Sequence, residues 1–200
     1  MVTATEIVGV RLNLPDGWYD VDLDADDAAT WIASLPIEYD GNVDRDVFAG
    51  MLSSLRDALL ADDVDAAAIQ LNSPNRGIIG AAMLFELLER GSDDTPESFQ
   101  AFVDTHSDLR SPELDISAFR SWAGTHPFGP FVAFTHLALV TIPGSDESSF
   151  EERAVFTIFP ESTSSLVQIT FRSARLGVFD DIAEQAAGMV GNIELDLEPA

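Results

Sequence analysis

The 200-residue sequence contains no cysteine and no lysine. Without cysteine there is no disulfide framework, no thiolate nucleophile and no cysteine-ligated zinc, which is compatible with the cytoplasmic location that we expect. The ten basic residues are all arginines, and the sequence contains 35 aspartates and glutamates, so the formal net charge is -25. Such a surface repels phosphate backbones and anionic headgroups, so we expect neither nucleic acid nor a membrane as partner. We expect another protein with a basic patch as the partner, and a cationic ligand is the alternative.

Long apolar runs, internal repeats and linkers are also missing. No stretch approaches the roughly 20 apolar residues of a membrane helix. The opening residues, MVTATEIVGVRLNL, lack the basic region and cleavage site of a signal peptide. With 46% hydrophobic residues, the chain can bury a substantial core. We therefore predict a single domain over residues 1–200, with a short flexible tail at about 196–200.

Motifs that carry local chemistry are absent as well. The sequence has no G-x-S-x-G elbow, no Walker loop and no G-x-G-x-x-G. Its three histidines, His106, His126 and His136, are too far apart in the chain for a local metal motif, and no H-E-x-x-H occurs. We therefore expect no metal, no cofactor and no catalytic residue. A catalytic triad built from distant residues stays open, since triads are defined by geometry rather than by sequence order.

The acidic run DVDLDADD, residues 20–27, resembles the start of a calcium-binding loop. Asp20, Asp22 and Asp24 match positions 1, 3 and 5 of an EF-hand loop. Ala25 then stands where the turn needs glycine, and Trp31 stands where the bidentate glutamate is needed. The pattern therefore favours a solvated strand edge leading into a helix cap over a cation site.

The hydrophobic pattern predicts the order of helices and strands. Residues 6–14 and 18–23 alternate as strands around the turn PDG, which indicates an opening hairpin. The segment 77–89 fits a central strand or a buried helix, and we favour a strand paired back to 65–71. The 3.6-residue period and local caps predict four helices, and the alternation predicts three later strands. The helices are 28–35, 44–60, one starting at Thr95, and 178–190; the strands are 131–142, 153–159 and 166–172.

Two stretches carry a family resemblance. The start, LNLPDGW followed by YDVDL, and the end, LVQITFRSARLGVFDDIAEQAAGMVGNIEL, resemble the PsbP-like and DcrB-like superfamily. The resemblance implies an α+β fold with a mainly antiparallel β-sheet flanked by helices, an α/β/α sandwich. Relatives in that superfamily mostly act by binding other proteins and share no catalytic centre. It therefore implies a non-enzymatic protein-binding adaptor or secretion-associated chaperone, with no catalytic residues to carry over.

Aromatic residues are concentrated in SWAGTHPFGPF, residues 121–131. Interfaces draw most of their affinity from a few large anchors, and an acidic rim speeds encounter with a basic partner. We therefore nominate Trp122, His126 and Phe128 as partner-binding residues in a surface loop. Two alternatives remain: these side chains seal the edge of a sheet, or a loop pocket around His126 serves a small ligand or an enzyme activity.

The broken EF-hand spacing generates a first prediction. Calorimetric titration with calcium at physiological salt should show no saturable micromolar binding, because two essential loop positions are missing. A stoichiometric isotherm that disappears in Asp22→Asn would contradict this interpretation of the acidic run.

Overall fold

The computed structural model describes residues 5–37, 43–73, 78–111, 114–141 and 148–199, and this part of the chain forms nine strands and four helices. The strands are β1 (Thr5–Leu12), β2 (Trp18–Asp20), β3 (Ala66–Ser73), β4 (Ile78–Glu89), β5 (Leu114–His126), β6 (Gly129–Thr141), β7 (Ser148–Ile158), β8 (Ser165–Ser173) and β9 (Ile193–Pro199). The helices are α1 (Ala28–Ser34), α2 (Arg45–Ala61), α3 (Pro96–Thr105) and α4 (Ile182–Val190).

Seven of the strands form one antiparallel sheet in the order β2-β3-β4-β8-β7-β6-β5. The three strands predicted as antiparallel neighbours are β6, β7 and β8, and they are paired as expected. The segment 77–89 is strand β4, paired with β3, so the strand interpretation is confirmed. Residues 74–77, which connect these two strands, lie outside the described part of the chain.

Side chains leave the sheet alternately on two faces, and both faces are covered. On β8, Val167, Ile169 and Phe171 are fully buried in a core shared with α4 and β9. Leu166 leaves β8 on the opposite side, where it packs with Phe99 of α3. We call these the α4 face and the α2 face, because α1 and α2 cover the β3–β4 end of the second one. Helices on both faces confirm the predicted α+β sandwich.

Helix starts follow the cap residues read from the sequence. The Asp44 carboxylate accepts hydrogen bonds from the backbone N–H groups of Asp46 and Val47, both at 3.1 Å, and α2 begins at the next residue. Thr95 caps α3 in the same way ahead of Pro96. The last helix begins at residue 182 rather than 178, because Asp181 supplies its N-terminal cap. Side-chain oxygens therefore decide where these helices start.

The predicted opening hairpin is wrong, although its turn exists. The backbone N–H of Trp18 donates to Pro15 at 3.1 Å, and Gly17 takes the positive φ of +85° that the turn requires. However, β1 pairs with β9 and β2 pairs with β3, so the two strands separate after the turn. Apolar β1 side chains such as Val10 pack into the α4-face core, which lies beside the far end of the chain.

Residues 196–199, which the sequence analysis assigned to a flexible tail, belong to strand β9. Leu195 lies opposite Val10, and Leu197 lies opposite Ile7. On the exposed side, Nη2 of Arg11 donates to Asp196 at 2.6 Å. The pairing extends to Pro199, so it brings the two ends of the described chain together.

The acidic run forms a loop whose backbone accepts hydrogen bonds from one buried arginine. Arg56 of α2 is only 6% exposed and donates to the backbone carbonyls of Asp22, Leu23 and Ala25 at 2.6–2.9 Å. These bonds turn the chain away from the sheet, so β2 ends at residue 20 rather than at the predicted 23. At the other end of the loop, Asp27 accepts from the N–H of Thr30 at 2.7 Å and caps α1.

Two glycines provide a matched test of backbone packing. A Cβ atom at Gly129, where φ is +155°, would lie 2.2 Å from the carbonyl oxygen of Phe159. A Cβ atom at Gly50, within α2, would meet nothing within 4 Å. Gly129→Ala should therefore lower the free energy of unfolding by at least about 1–3 kcal/mol. Gly50→Ala should raise it by about 0.5–1 kcal/mol, because alanine is the better helix former. Urea unfolding of both variants tests this, and equal stabilities would contradict the packing described.

Candidate functional site

The nominated segment SWAGTHPFGPF is a β-hairpin rather than a loop, so that part of the prediction is wrong. It contains the end of β5, a two-residue turn and the start of β6. Trp122 lies on β5, is half-buried and packs edge-on against Phe156 at 5.7 Å between ring centroids. Phe128 occupies the turn and is also half-buried. These two aromatic side chains extend the α4-face core to the end of the sheet.

His126 connects this hairpin to the end of α4. The imidazole is 5% exposed, and its Nε2 lies 3.1 Å from the carbonyl oxygen of Val190. Its Nδ1 accepts from the backbone N–H of Phe128 at 3.4 Å. Burial lowers the pKa of His126, and the bond to Val190 opposes that shift. Both ring nitrogens are therefore engaged in holding the fold.

The three nominated side chains thus lie together at one end of the sheet. Their contacts match the alternative in which aromatic residues seal a sheet edge, and contact with a partner stays a prediction. Next to them runs a feature that the sequence analysis did not nominate, the outer edge of β5.

Strand β5 is the last strand of the sheet in the described part of the chain, so β6 pairs with one of its sides and no other described strand pairs with the opposite side. Residues 109–111 cover the beginning of β5 on that opposite side. The N–H of Ile116 donates to the carbonyl oxygen of Leu109 at 3.0 Å, and the N–H of Ser111 donates to the carbonyl oxygen of Leu114 at 2.8 Å. Among the described residues, the backbone groups from Ser117 to Thr125 form backbone hydrogen bonds only with β6. The second half of β5 is therefore an open strand edge.

One hydrogen bond on β6 shows which β5 groups point outward. The N–H of Phe159 donates to the carbonyl of Pro130 at 2.9 Å, so Pro130 directs its backbone toward β7. Backbone direction alternates along a strand, so Phe131 and Ala133 point toward β5. Their partners on β5 are residues 124 and 122, which point back toward β6. The remaining positions therefore direct their N–H and C=O groups into solvent; they are Ser121, Ala123 and Thr125.

Few of the usual devices protect this edge. Natural proteins block open edges with lysine, proline, bulges or very short strands. β5 has 13 residues and contains neither lysine nor proline. It has one bulge, between Ser117 and Arg120, where Ala118 adopts a positive φ of +51°. Beyond the bulge the pairing with β6 is regular as far as His126, so this stretch can accept another strand.

A buried histidine lies beside the bulge. His136 of β6 is 7% exposed, and neither ring nitrogen has a hydrogen-bond partner among the described residues. Burial, reinforced by the nearby Arg153 guanidinium, lowers the pKa of His136 to about 4. His136 lines a cavity of about 410 Å³ together with Ala118 and Glu152. Burial and the nearby Asp181 carboxylate raise the pKa of Glu152. Buried polar groups without a hydrogen-bond partner are rare in proteins, so the two ring nitrogens of His136 make this end of the sheet unusual.

The described residues offer neither a metal-binding cluster nor a membrane-spanning helix. No group of three or more histidine, aspartate or glutamate side chains there is arranged to hold a metal ion. None of the helices described has both the length and the apolar character needed to cross a membrane.

Comparison with known proteins bears on the fold. No protein-family model matches the sequence, and no curated protein is similar to it. The structure is similar to the solution structure of cyanobacterial PsbP (CyanoP) from Synechocystis sp. PCC 6803, with a TM-score of 0.50 and 11% sequence identity. The alignment covers 98% of this chain and 95% of that one. The PsbP-like fold inferred from the sequence is therefore confirmed as a fold.

The open edge had a signal in the sequence that was missed. Trp122, Gly124 and His126 alternate with Ala123 and Thr125 in the pattern of a strand. The bulge at 117–120 breaks that alternation, and the small polar residues are typical of a loop. Glycine is needed at residue 124 because the ring of Phe131 lies over it: a Cβ atom there would be 2.5 Å from that ring.

The buried His136 generates a prediction about pH. The ring is neutral in the folded protein down to about pH 4, whereas the unfolded chain takes up this proton near pH 6.5. Its contribution to stability is therefore fully present above pH 6.5 and is lost as the pH falls toward 4. His136→Phe should remove this contribution, so unfolding free energy should fall less steeply over that interval than in the wild type. Urea unfolding at pH 7, 6, 5 and 4 measures both slopes, and identical slopes would contradict the assignment.

Proposed function

We propose that this protein is a non-enzymatic adaptor or secretion-associated chaperone, which binds an extended segment of another protein along the open edge of β5. The proposal includes the cytoplasmic setting expected from the cysteine-free sequence. The bound segment would become an eighth strand of the seven-stranded sheet. Main-chain hydrogen bonds would supply affinity, and side-chain contacts on either face would supply selectivity.

The observation that carries this proposal is the set of unpaired backbone groups at Ser121, Ala123 and Thr125. Their N–H and C=O groups face away from β6 and make no other backbone hydrogen bond within the described chain. Ala123 and Thr125 are also exposed, so an incoming strand meets only small side chains there. An extended peptide can therefore approach without displacing any of the helices or strands described above.

Charge favours a basic partner segment. The chain carries a formal net charge of -25. Beside the edge, Asp104 of α3 lies next to β5 and accepts hydrogen bonds from Ser121 and Gln100. Complementary charge mainly speeds encounter, so association should slow as salt is added. Trp122 and Phe128, half-buried on the α4 face of the same hairpin, are placed to contact side chains of such a segment.

Ala123 offers a test that separates backbone pairing from side-chain contact. Ala123→Pro removes an N–H that the fold does not use, and proline is tolerated at such an edge position. Ala123→Thr adds a side chain but keeps the N–H, so it serves as the matched control. Each variant should be used to capture partners from the host lysate, with mass spectrometry as the readout. The proline variant should lose a protein that the wild type and the threonine variant both retain.

The retained protein should then be purified and titrated at two salt concentrations. We expect tenfold or greater loss of affinity in Ala123→Pro, at unchanged melting temperature, together with slower association at higher salt. Equal capture by all three forms would show that β5 is not the binding edge. Recovery of a second copy of this chain alone, paired through β5, would show that the edge closes a homodimer instead.

A further inference from the structure

A second surface feature lies on the α2 face, separated from β5 by strands β6 and β7. A cleft of about 540 Å³ separates α2 from the ends of β4 and β8. That volume is within the range of about 300–1,000 Å³ that is usual for small-molecule sites. Its wall is mainly apolar and is formed by Met51, Leu55, Ile78, Ile79 and Ala82. Met51 is 49% exposed at this cleft.

Two arginines line one side of the apolar wall. Arg172 lies on β8 directly opposite Ala82 of β4, whose methyl group leaves space above the sheet. Arg175 follows two residues after the buried Ser173. The Ser173 hydroxyl donates to the carbonyl of Gly80 at 2.6 Å and accepts from the N–H of Arg175 at 3.1 Å. This buried serine therefore fixes the backbone that carries both cations.

The charges of these arginines are not compensated within the described residues. Arg153 of β7 lies opposite Arg172 of β8, but its guanidinium group already donates two hydrogen bonds to Glu151, at 2.6 and 2.9 Å. Arg172 and Arg175 make no ion pair with any described carboxylate. In a chain with 35 acidic residues and only ten bases, two uncompensated cations at one cleft form a local exception to the acidic surface.

We propose that this cleft binds a small amphipathic carboxylate, with its apolar chain between α2 and the sheet and its carboxylate on Arg172 and Arg175. Guanidinium groups match carboxylates in shape and charge and form strong, often bidentate hydrogen bonds with them. The apolar wall requires a ligand with a hydrocarbon body. Glu151 also lines the cleft, and the surrounding surface is acidic, so a single negative charge fits better than a multiply charged group.

Decanoate is the probe for this site, and decanol, which has the same chain without the charge, is its control. Binding should be measured by calorimetry on the full chain, with amide exchange to locate it. Decanoate should bind saturably and protect residues of β4, β8 and α2, and decanol should bind at least about tenfold more weakly. Arg172→Gln should reduce decanoate affinity at least about tenfold.

Two further variants separate this site from general electrostatics and from misfolding. Arg120→Gln removes the same charge from the exposed bulge of β5 and should leave decanoate affinity unchanged. Met51→Glu places a carboxylate at an exposed position of the cleft wall, so it should weaken decanoate binding without loss of folding. The proposal is overturned by equal losses in the Arg172 and Arg120 variants, by equal binding of decanol, or by no saturable binding at millimolar decanoate.

Discussion

Burial of both faces of the central strands β4, β8 and β7 is the constraint on which the rest of the structure depends. Phe85, Phe156 and Phe171 point to the α4 face, and Leu84 and Leu166 point to the α2 face, all nearly inaccessible to solvent. Each large apolar side chain buried in this way contributes roughly 1.5–3 kcal/mol. An antiparallel sheet with two apolar faces therefore needs a covering layer on each side.

The two coverings are built differently, and their difference creates the candidate sites. On the α4 face, α4 and the β1–β9 pair share one continuous core with the sheet. On the α2 face, α1 and α2 cover β3 and β4, while α3 packs near β5 and β6. The cleft lined by Arg172 lies at the margin of the α2 cover. Because α3 packs against a face of β5 rather than along its side, the outer edge of that strand stays open.

Local chemistry made part of this fold predictable from the sequence. Asp44, Thr95 and the alternation in β8 act within a few residues, so helix starts and the β6–β7–β8 order could be inferred. The pairing of β1 depends on β9 at the other end of the chain, and no local turn signal could reveal it. β9 itself carried a usable signal, since Ile193, Leu195 and Leu197 alternate with acidic residues.

The candidate sites were less accessible to sequence reasoning, because they depend on what surrounds a residue. Trp122, His126 and Phe128 were found by composition, and their clustering at one end of the sheet follows from the hairpin. The open edge depends on the absence of a neighbouring strand among the described residues, which is a property of the whole sheet. Arg172 lies on the side of β8 opposite to the alternating apolar residues, and its lack of an ion-pair partner among the described residues appears only in three dimensions.

Amide hydrogen exchange along β5 in the free protein tests the central claim most directly, since it reports on each backbone N–H separately. If the second half of β5 is an open edge, protection should alternate: slow exchange at Trp122 and Gly124, and fast exchange at Ser121, Ala123 and Thr125. Uniform protection from residue 120 to 126 would contradict the account, because it would mean that another part of the chain or a second copy already occupies the edge.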